Sequence, residues 1–375
     1  MPKQPAITLL IKPASGNCNL RCRYCFYADE MNLRSEPSRG FLNAETLDIL
    51  VQKTLRQVSH MASFAFQGGE PTLAGLDFYR HLIELEKKYN TGRIEIHNSL
   101  QTNGIVLDEK WAQFLHDNHF LVGLSLDGYE ELHDENRKFP DGSGSFSRVM
   151  EAAKLLQRFR VDFNILSVVT ARSARRIRRI YRFFQEQGFA WQQYIPCIDP
   201  FDESKGSLSY SLTPDRLGKF LKDLFDDWYA DWKAGRPVYN RTFENWIGIL
   251  LGQPPEACSM NGFCSEQWVV EADGSVYPCD FYVLDEWKLG NIREDSFEEM
   301  NRKREELQFA ALSRHVPQEC RSCRWYPLCR NGCRRDRVLL PDGRTPGLNA
   351  YCGAYQDFFS YAYPRLEEMA RTVGR

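Results

Sequence analysis

The twelve cysteines of this chain restrict its possible folds more than any other feature, because they are not scattered. One stands alone, eight fall in the last third of the sequence, and three lie close together near the N-terminus, at Cys18, Cys22 and Cys25. The apolar stretch from Ala6 to Ile11 is too short for a secretory signal, so we expect a cytoplasmic protein with reduced thiols. Grouped thiols in a reducing compartment are typical of metal ligands, and the sequence therefore predicts a fold organised in part by metal.

The charge balance argues against two classes of partner. The 48 basic and 50 acidic residues give a formal net charge of -2, which offers no attraction to nucleic acid or to a membrane surface. No apolar run approaches the roughly 18 residues that a bilayer-spanning helix needs. The hydrophobic fraction of 43% is typical of an ordered globular protein, and 375 residues are enough for one large domain and a smaller one.

The first two thirds of the chain alternate short apolar runs with amphipathic segments. The predicted strands are Ile7–Lys12, Ala62–Phe66, Ile94–Asn98, Leu121–Ser125, Val161–Val169 and Trp191–Ile195. The predicted helices are Asn43–Val58, Asp77–Tyr89, Asp108–Asn118, Ser145–Arg158, Ala174–Gln187 and Pro214–Lys233. Six strand–helix repeats predict a parallel sheet and are too few for a closed eight-stranded barrel. We therefore expect an α/β domain over residues 1–235, a partial (β/α)6 barrel or an open sheet, with its chemistry at the C-terminal strand ends.

The pattern changes after about residue 235, where the sequence becomes rich in cysteines and turns. Val269–Ala272 and Ser275–Tyr277 flank Asp273-Gly274, a strong signal for a two-residue β-hairpin loop. We predict a second domain over residues 236–375 with a hairpin and helices, organised by metal rather than by a large apolar core.

The first cysteine group has the spacing C-x3-C-x2-C and lies just after the first predicted strand. Thiolates at these short separations can converge on one metal centre, and no fourth cysteine is near. A four-iron cluster held by three thiolates leaves one iron free to bind something else. The alternative is a structural zinc site that borrows a distant fourth ligand.

Polar and glycine motifs follow the next three predicted strands. Gly68 and Gly69 follow the second strand and allow close backbone approach to a ligand, and Glu70 beside them could bind an ammonium group. Hydroxyl, amide and guanidinium groups follow the third and fourth strands and suit a ribose and a carboxylate; they belong to Ser99, Gln101, Asn103, Ser125 and Arg137. Each motif by itself could equally be a turn or a helix cap.

The first cysteine motif, with Tyr24 before its last cysteine, resembles the signature of the radical S-adenosylmethionine superfamily. The resemblance implies that Cys18, Cys22 and Cys25 hold a [4Fe-4S] cluster whose free iron binds S-adenosylmethionine. In that family the motif Gly68-Gly69-Glu70 binds the amino group of the cofactor. The further cofactor contacts that it implies are Tyr24, Gly69, Ser125, Arg137 and the backbone of Ile198.

The eight later cysteines are enough for two further four-iron clusters or for two zinc sites. Their arrangement resembles the SPASM domain, and the segments 67–76, 98–104 and 275–283 resemble the anaerobic sulfatase-maturating enzymes. The resemblance implies three [4Fe-4S] clusters in all. It assigns the nearer auxiliary cluster to Cys258, Cys264, Cys279 and Cys333, and the outer one to Cys320, Cys323, Cys329 and Cys352.

The same resemblance implies the reaction. A cysteine or serine in an unfolded sulfatase segment of the type Cys/Ser-x-Pro-x-Arg would be oxidised to Cα-formylglycine. Asp280, next to Cys279, would accept the proton from the substrate sulfur or oxygen. Peptide contacts are expected from Gln67, Gln101 and Asn103, and electrons from a donor such as flavodoxin or ferredoxin. The alternatives left open are another SPASM-type peptide modifier, making crosslinks or epimers, and a zinc-bound scaffold. Cys197 is expected to be a small buried apolar residue.

Overall fold

The computed structural model describes residues 3–374. Its strands are β1 (Gln4–Ile11), β2 (Arg21–Cys22), β3 (Val58–Phe66), β4 (Glu95–Thr102), β5 (Leu121–Ser125), β6 (Arg137–Lys138), β7 (Phe163–Val169), β8 (Trp191–Pro196), β9 (Tyr239–Asn240), β10 (Trp268–Val270), β11 (Ser275–Tyr277), β12 (Gly290–Asn291), β13 (Arg337–Leu339) and β14 (Pro346–Asn349).

The helices alternate with the first strands and then dominate the end of the chain. They are α1 (Phe26–Leu33), α2 (Ala44–Gln57), α3 (Leu76–Tyr89), α4 (Glu109–Asp117), α5 (Glu130–Asn136), α6 (Phe146–Arg158), α7 (Ala171–Ala174), α8 (Ile177–Glu186), α9 (Pro214–Lys233), α10 (Arg241–Leu250), α11 (Phe297–Leu307), α12 (Phe309–Ser313), α13 (Gln318–Arg321), α14 (Tyr326–Cys329) and α15 (Cys352–Val373).

The first compact unit comprises Met1–Ser125, Asp134–Asn164 and Glu266–Leu307. Its sheet has the strand order β12-β11-β10-β1-β3-β4-β5, and the run from β10 to β5 is parallel. β1 and β3 are buried at alternate positions, and helices such as α2 turn an apolar face of leucines and a valine inward. The predicted α/β class with a parallel sheet is therefore confirmed, and the chemistry-bearing loops follow β1, β3, β4 and β5.

The predicted hairpin exists and extends the sheet of the first unit, because β10 pairs in parallel with β1 (Leu9 opposite Trp268). The expected two-residue loop is wrong in detail. A turn from Glu271 to Gly274 closes the hairpin, with the Gly274 N–H donating to the Glu271 carbonyl at 2.9 Å. Gly274 has φ +85°, the left-handed residue that a turn followed by a bulge requires.

The second unit comprises Leu126–His133, Ile165–Ser265 and Gln308–Arg375. It contains most of β7, which pairs in parallel with β8, and β8 pairs in parallel with β9. Helix α15 packs against α9 and α10. Aromatic rings fill this contact: Phe225 lies 5.2 Å from Phe243, and Trp246 lies 4.9 Å from Phe358, between ring centroids. An apolar core thus supports this part of the chain, where the sequence led us to expect metal instead.

Two boundaries differ from the sequence-based prediction. β4 continues to Thr102 rather than ending at Asn98, because Asn98, Leu100 and Thr102 are buried in strict alternation. Gln101 is therefore a strand residue. The predicted domain boundary near residue 235 stays a prediction, since each compact unit is assembled from separate segments. Between residues 3 and 374 no helix has the length and apolar composition to cross a bilayer.

Candidate active site and metal centres

The loop that carries the first three cysteines is fixed at both ends. β2 pairs with β6 in antiparallel fashion, which sets Cys22 opposite Arg137. The Cys25 N–H donates to the Cys22 carbonyl at 3.2 Å, and Cys25 then begins helix α1 as its N-cap residue. All three cysteines are half-buried thiols. Three thiols on one short turn, without a fourth ligand in the motif, fit a four-iron cluster with one open iron.

Two of the predicted cofactor contacts meet in the first unit. The guanidinium carbon of Arg137 lies 5.5 Å from the centroid of the Tyr24 ring, and both residues are buried. The antiparallel pair that presents Cys22 therefore also places an aromatic face and a cation beside the cysteine loop.

The two glycines after β3 are required by the chain itself. A Cβ on Gly69 would lie 2.1 Å from the Asn17 carbonyl oxygen, and Gly68 has φ +123°. The Gly69 N–H donates to the Ser15 carbonyl, and the Glu70 N–H donates to the Asn17 carbonyl, both at 2.7 Å. The motif thus anchors the segment that leads into Cys18. Its expected contact with a cofactor stays a prediction.

The Glu70 carboxylate is fully buried and is engaged within the protein. It accepts hydrogen bonds from the Thr72 hydroxyl at 2.6 Å, the Thr102 hydroxyl at 2.7 Å and the Asn103 N–H at 2.8 Å. Burial raises the pKa of Glu70, and these hydrogen bonds oppose the rise. The Glu70 side chain thus joins the loops after β3 and β4. The amino group of a cofactor would have to bind the Glu70 carboxylate alongside these three donors.

The amides expected to bind peptide also have partners within the first unit. Gln101 donates to the Ser125 hydroxyl at 3.1 Å. Asn103 donates to the side-chain oxygen of Asn19 at 2.7 Å and to the Cys18 sulfur at 3.8 Å. Asn103 therefore supports the cysteine loop directly. The peptide contacts of Gln67, Gln101 and Asn103 stay predictions.

Ile198 and Cys197 follow β8 in the second unit. The Cys197 thiol is 3% exposed and points to the Tyr210 carbonyl at 3.4 Å. Burial raises the pKa of Cys197 to about 12, as expected for an inert buried thiol. The cofactor contact of the Ile198 backbone stays a prediction.

Asp280 lies where three elements of the first unit meet. The Tyr27 hydroxyl, on α1, is 2.7 Å and 2.9 Å from its two carboxylate oxygens. Gln67, at the end of β3, donates to one of them at 2.6 Å. The Lys12 ammonium, at the end of β1, lies 3.1 Å from the other. Asp280 is thus a buried, oriented carboxylate directly after a predicted cluster ligand.

Behind Asp280 lies a buried cation with a second carboxylate. The Lys12 ammonium is 3.7 Å from Glu30 and 3.9 Å from the centroid of the Tyr27 ring. Burial lowers the pKa of Lys12, but the carboxylates around it outweigh this and raise it. Burial raises the pKa of Glu30 to about 8, and Lys12 opposes the rise. Lys12 is therefore charged at neutral pH and holds Asp280 in place.

The sequence reasoning missed Lys12, Tyr27 and Glu30. Two signals in the sequence were available. Lys12 follows an apolar strand, and Tyr27 and Glu30 lie in the segment directly after Cys25. Neither signal says which carboxylate these side chains will reach.

The later cysteines form two groups within the second unit. Burial raises the pKa of Cys333, and the nearby carboxylate of Asp336 and the thiols of Cys258 and Cys264 add to the rise, which indicates that these three thiols lie close together. The other four line a single cavity: Cys320, Cys323, Cys329 and Cys352. Four thiols around one cavity, walled by Trp325 and Tyr355, fit a fully ligated iron–sulfur cluster. Cys279 belongs to the first unit, and its place among these ligands stays a prediction.

In the part of the chain that the structure describes, no group of three or more His, Cys, Asp or Glu side chains could hold a lone metal ion. The fit to clusters therefore rests on the thiol donor set and on the shared cavity.

Sequence comparisons identify both halves of this arrangement. Residues 13–184 match the radical SAM superfamily, and residues 258–324 match an iron-sulfur cluster-binding domain, SPASM. A cysteine-type anaerobic sulfatase-maturating enzyme of Clostridium perfringens is 48% identical over 98% of this chain and 100% of its own length. A serine-type anaerobic sulfatase-maturating enzyme of Bacteroides thetaiotaomicron is 31% identical over 99% of this chain and 93% of its own.

Solved structures show the same similarity. The native enzyme anSMEcpe, with bound AdoMet and the Kp18Cys peptide, has a TM-score of 0.93 at 48% identity, covering 98% of this chain and 100% of that one. Streptococcus suis SuiB, bound to its precursor peptide SuiA, has a TM-score of 0.64 at 18% identity over 92% of this chain and 75% of its own, which shows the fold alone.

Proposed function

Because the chain belongs to the anaerobic sulfatase-maturating enzymes, which are radical S-adenosylmethionine enzymes with an iron–sulfur SPASM domain, we propose that it oxidises a cysteine of a sulfatase polypeptide to Cα-formylglycine. The observation that carries the proposal is the buried carboxylate of Asp280, oriented by Tyr27, Gln67 and Lys12 in the same unit as the three-cysteine loop. An aspartate held in this way suits removal of a proton from a substrate thiol.

Cys18, Cys22 and Cys25 would hold the first of three clusters, and the other cysteine groups would hold two more. When bound, these clusters and S-adenosylmethionine supply a primary carbon radical that takes a hydrogen atom from Cβ of the target cysteine, and they supply an acceptor for the electron that the substrate then loses. The chain's own task is to position the target and to accept the proton from sulfur.

Asp280 accepts that proton on one carboxylate oxygen. Loss of one hydrogen atom, one proton and one electron turns the substrate CH2–SH group into a thioaldehyde. Water then replaces the sulfur, which leaves as hydrogen sulfide, and the aldehyde of formylglycine remains. Tyr27 and Gln67 hold the carboxylate towards the substrate, while Lys12 keeps a positive charge beside it before and after proton transfer.

A cysteine target is favoured over serine by similarity, since the cysteine-type relatives are 46–48% identical and the serine-type relatives 28–31%. The polypeptide partner would present a segment of the type Cys-x-Pro-x-Arg, and a reduced flavodoxin or ferredoxin would supply electrons.

The test is an oxygen-free incubation of the reconstituted enzyme with dithionite, S-adenosylmethionine and a Cys-x-Pro-x-Arg peptide. Mass spectrometry follows 5'-deoxyadenosine and the peptide. Formylglycine together with deoxyadenosine is expected. Deoxyadenosine with a crosslinked or epimerised peptide would redirect the proposal to another peptide modification, and absence of deoxyadenosine would remove the radical assignment.

The variant Asp280→Asn separates the proton step from the radical step. We expect deoxyadenosine to form while formylglycine falls by about 10²-fold or more, because a general base contributes that much to a proton transfer. Asp285→Asn is the matched control, since Asp285 follows on the same segment but bonds Ser35 rather than Lys12 or Tyr27. Formylglycine formation by Asp280→Asn at the wild-type rate would contradict the assignment.

A further inference from the structure

The side chain of Arg337, at the start of β13, is buried in the second unit and donates to four backbone carbonyls. Its Nη1 lies 2.7 Å from the Ser313 oxygen, and its Nε lies 3.0 Å from the Asn331 oxygen. Its Nη2 lies 2.8 Å from the Gly332 oxygen and 3.0 Å from the Gly262 oxygen. One planar guanidinium therefore ties together three segments that are distant in sequence.

These segments are the ones that present cysteines. Gly262 precedes Cys264 by two residues, and the hydroxyl of Ser313 accepts a hydrogen bond from the Cys264 N–H at 2.8 Å. Asn331 and Gly332 lie between Cys329 and Cys333. Cys264 and Cys333 belong to one cysteine group, and Cys329 belongs to the other.

The backbone between Cys329 and Cys333 is strained. Arg330, Asn331 and Gly332 have φ of 49°, 66° and 64°, a run of three left-handed residues; glycine and asparagine adopt this conformation most readily, whereas it is unfavourable for Arg330. Such a conformation persists only where its surroundings hold it. The hydrogen bonds from Arg337 to the carbonyls of Asn331 and Gly332 contribute to that hold, together with hydrogen bonds between Asn331 and the segment of Gly347 and Asn349.

The charge of Arg337 is also unusual for its position. Within residues 3–374 it forms no ion pair with a carboxylate, although it is only 3% exposed. Its electrostatic neighbours are the thiols of Cys264, Cys333 and Cys320, the hydroxyl of Tyr326 and the carboxylate of Asp336, with which it forms no direct ion pair. A buried cation is costly unless an anion lies near it, and thiolates that hold an iron–sulfur cluster would be such anions.

We propose that Arg337 is a positioning residue for both auxiliary cysteine groups, holding their loops in the shape that binds clusters and raising the reduction potentials of those clusters through its charge. The proposal rests on the two auxiliary clusters of the proposed function. A fixed positive charge favours the more negative, reduced form of a cluster, so its removal makes reduction harder.

The experiment compares anaerobically reconstituted wild type with Arg337→Lys and Arg337→Met. Iron per chain and the midpoint potentials of the clusters, from titrations followed by electron paramagnetic resonance, are measured. Arg324→Met is the matched control, because Arg324 lies on the same cysteine-rich segment, is exposed and stacks on Trp325 without bonding a backbone carbonyl.

The wild type should bind about twelve irons, as three four-iron clusters require. Arg337→Met should lose much of the roughly eight auxiliary irons, and its remaining auxiliary clusters should have more negative midpoint potentials. Arg337→Lys keeps the charge but not the planar fork, so it should lose iron while the clusters it keeps have nearly wild-type potentials. Arg324→Met should match the wild type in both measurements.

Full iron content and unshifted potentials in Arg337→Met would overturn the proposal while leaving the proposed function intact. If Arg337→Met does not fold, as judged by far-ultraviolet circular dichroism, Arg337→Lys decides: iron loss from the folded variant supports the proposal, and wild-type iron overturns it. A wild type with only about four irons would overturn the auxiliary clusters and this proposal together.

Discussion

Asp280 has donors on both carboxylate oxygens, and they come from the ends of β1 and β3 and from α1. This limits the rotation of the carboxylate and keeps a buried negative charge compensated. A general base that meets a short-lived substrate radical gains most from such fixed orientation, because its proton transfer must occur before the radical reacts elsewhere. Orientation of Asp280 is therefore as important to the reaction as its charge.

Tyr27→Phe tests this orientation. The variant removes the hydroxyl that contacts both oxygens of Asp280 while keeping the ring beside Lys12. We expect formylglycine per deoxyadenosine to fall about 10-fold, because loss of one hydrogen bond to a charged group is worth about 1.5–3 kcal/mol and misdirects the base. The ratio of the two products is measured in the same anaerobic assay.

The control is Tyr89→Phe. The Tyr89 hydroxyl donates a hydrogen bond to Asp48 at 2.7 Å, and neither residue belongs to the proposed site. An unchanged product ratio in Tyr27→Phe would show that Lys12 and Gln67 suffice to orient Asp280.

At the scale of elements, the loops after β1, β3 and β4 hold one another in place. The backbone of Gly69 and Glu70 pairs with the loop before Cys18, and the Glu70 carboxylate binds the start of the loop after β4. The side chain of Asn103 then reaches back to Asn19 beside the first cysteine. The cysteine loop is thus held by contacts from the two neighbouring loops.

Gly69→Ala should break these contacts. Its Cβ would fall 2.1 Å from a backbone oxygen that cannot move without moving the cysteine loop. We expect the variant to lose about four of about twelve irons and to form no deoxyadenosine. Iron analysis after anaerobic reconstitution checks this.

Gly353→Ala is the control, since a Cβ there, in helix α15, would have no neighbour within 4 Å and should be tolerated. Normal iron content in Gly69→Ala would mean that the loop can relax away from the clash.

A second element-scale feature is the contact of α3 with β4. The buried Glu86 accepts a hydrogen bond from the Asn98 amide nitrogen at 3.2 Å, yet among the described residues the second carboxylate oxygen of Glu86 and the amide oxygen of Asn98 have no donor. Burial raises the pKa of Glu86 from 4.5 to about 7, and the hydrogen bond from Asn98 opposes the rise. A proton on Glu86 would supply a donor here, so the folded state prefers the neutral acid.

The sign of the pH dependence follows from this raised pKa. The folded state binds the proton more tightly than the unfolded state, so this stabilisation is full below pH 4.5 and is lost as pH rises through about 7. Glu86→Gln should therefore be more stable than wild type at pH 8, by about 2 kcal/mol, with little difference near pH 5. Anaerobic thermal unfolding at the two pH values measures this.

The matched variant Glu84→Gln changes an exposed carboxylate of the same helix and should show no such pH dependence. Equal stability of wild type and Glu86→Gln at pH 8 would indicate that water reaches Glu86.

At the scale of the whole molecule, the chemistry is divided between two compact units. The first contains the three-cysteine loop together with Asp280, and the second contains the four cysteines around one cavity and the group of Cys258, Cys264 and Cys333. The second unit also has its own aromatic core between α9, α10 and α15. We therefore expect both auxiliary clusters to bind without the first cluster, since Cys279, the predicted ligand that lies in the first unit, is not part of the three-cysteine loop.

Replacing Cys18, Cys22 and Cys25 together by alanine tests this independence. We expect a folded protein with about eight of about twelve irons and no deoxyadenosine, because only the first cluster binds the cofactor. Iron analysis, circular dichroism and the deoxyadenosine assay are the measurements. Cys197→Ala, the buried thiol outside the groups, should keep all irons. Loss of all iron from the triple variant would contradict independent assembly.

Much of this could be predicted from the sequence where the signal is local. The alternation of Leu9 and Ile11, or the leucine face of α2, specifies a strand or a helix through the periodicity of its own residues. The spacing of the cysteines and the resemblance to a known family led to the same family that the comparisons identify.

Errors arose where distant segments meet. Gln101 was expected in a loop, but its strand continues because β5 offers a pairing partner opposite Gly123. The hydrogen bonds that Thr72 and Thr102 donate to the buried Glu70 carboxylate were also not predicted, and the expected contact of Glu70 with a cofactor stays a prediction. The sequence contains no local sign of either contact.

The sequence by itself determined the alternation of the main strands and helices in the first two thirds of the chain, the grouping of the thiols and the family, because these depend on residue type and on short spacings. Only the tertiary structure decided that Lys12, Tyr27 and Gln67 meet at Asp280, and that Arg337 joins the loops of both auxiliary groups. The contacts of Gln67 and Tyr27 with Asp280 join residues 213 and 253 positions apart, and Arg337 lies 24 positions from Ser313. Their partners are selected by burial, because a charge removed from water must find its counter-charge or hydrogen-bond acceptor wherever the fold places one.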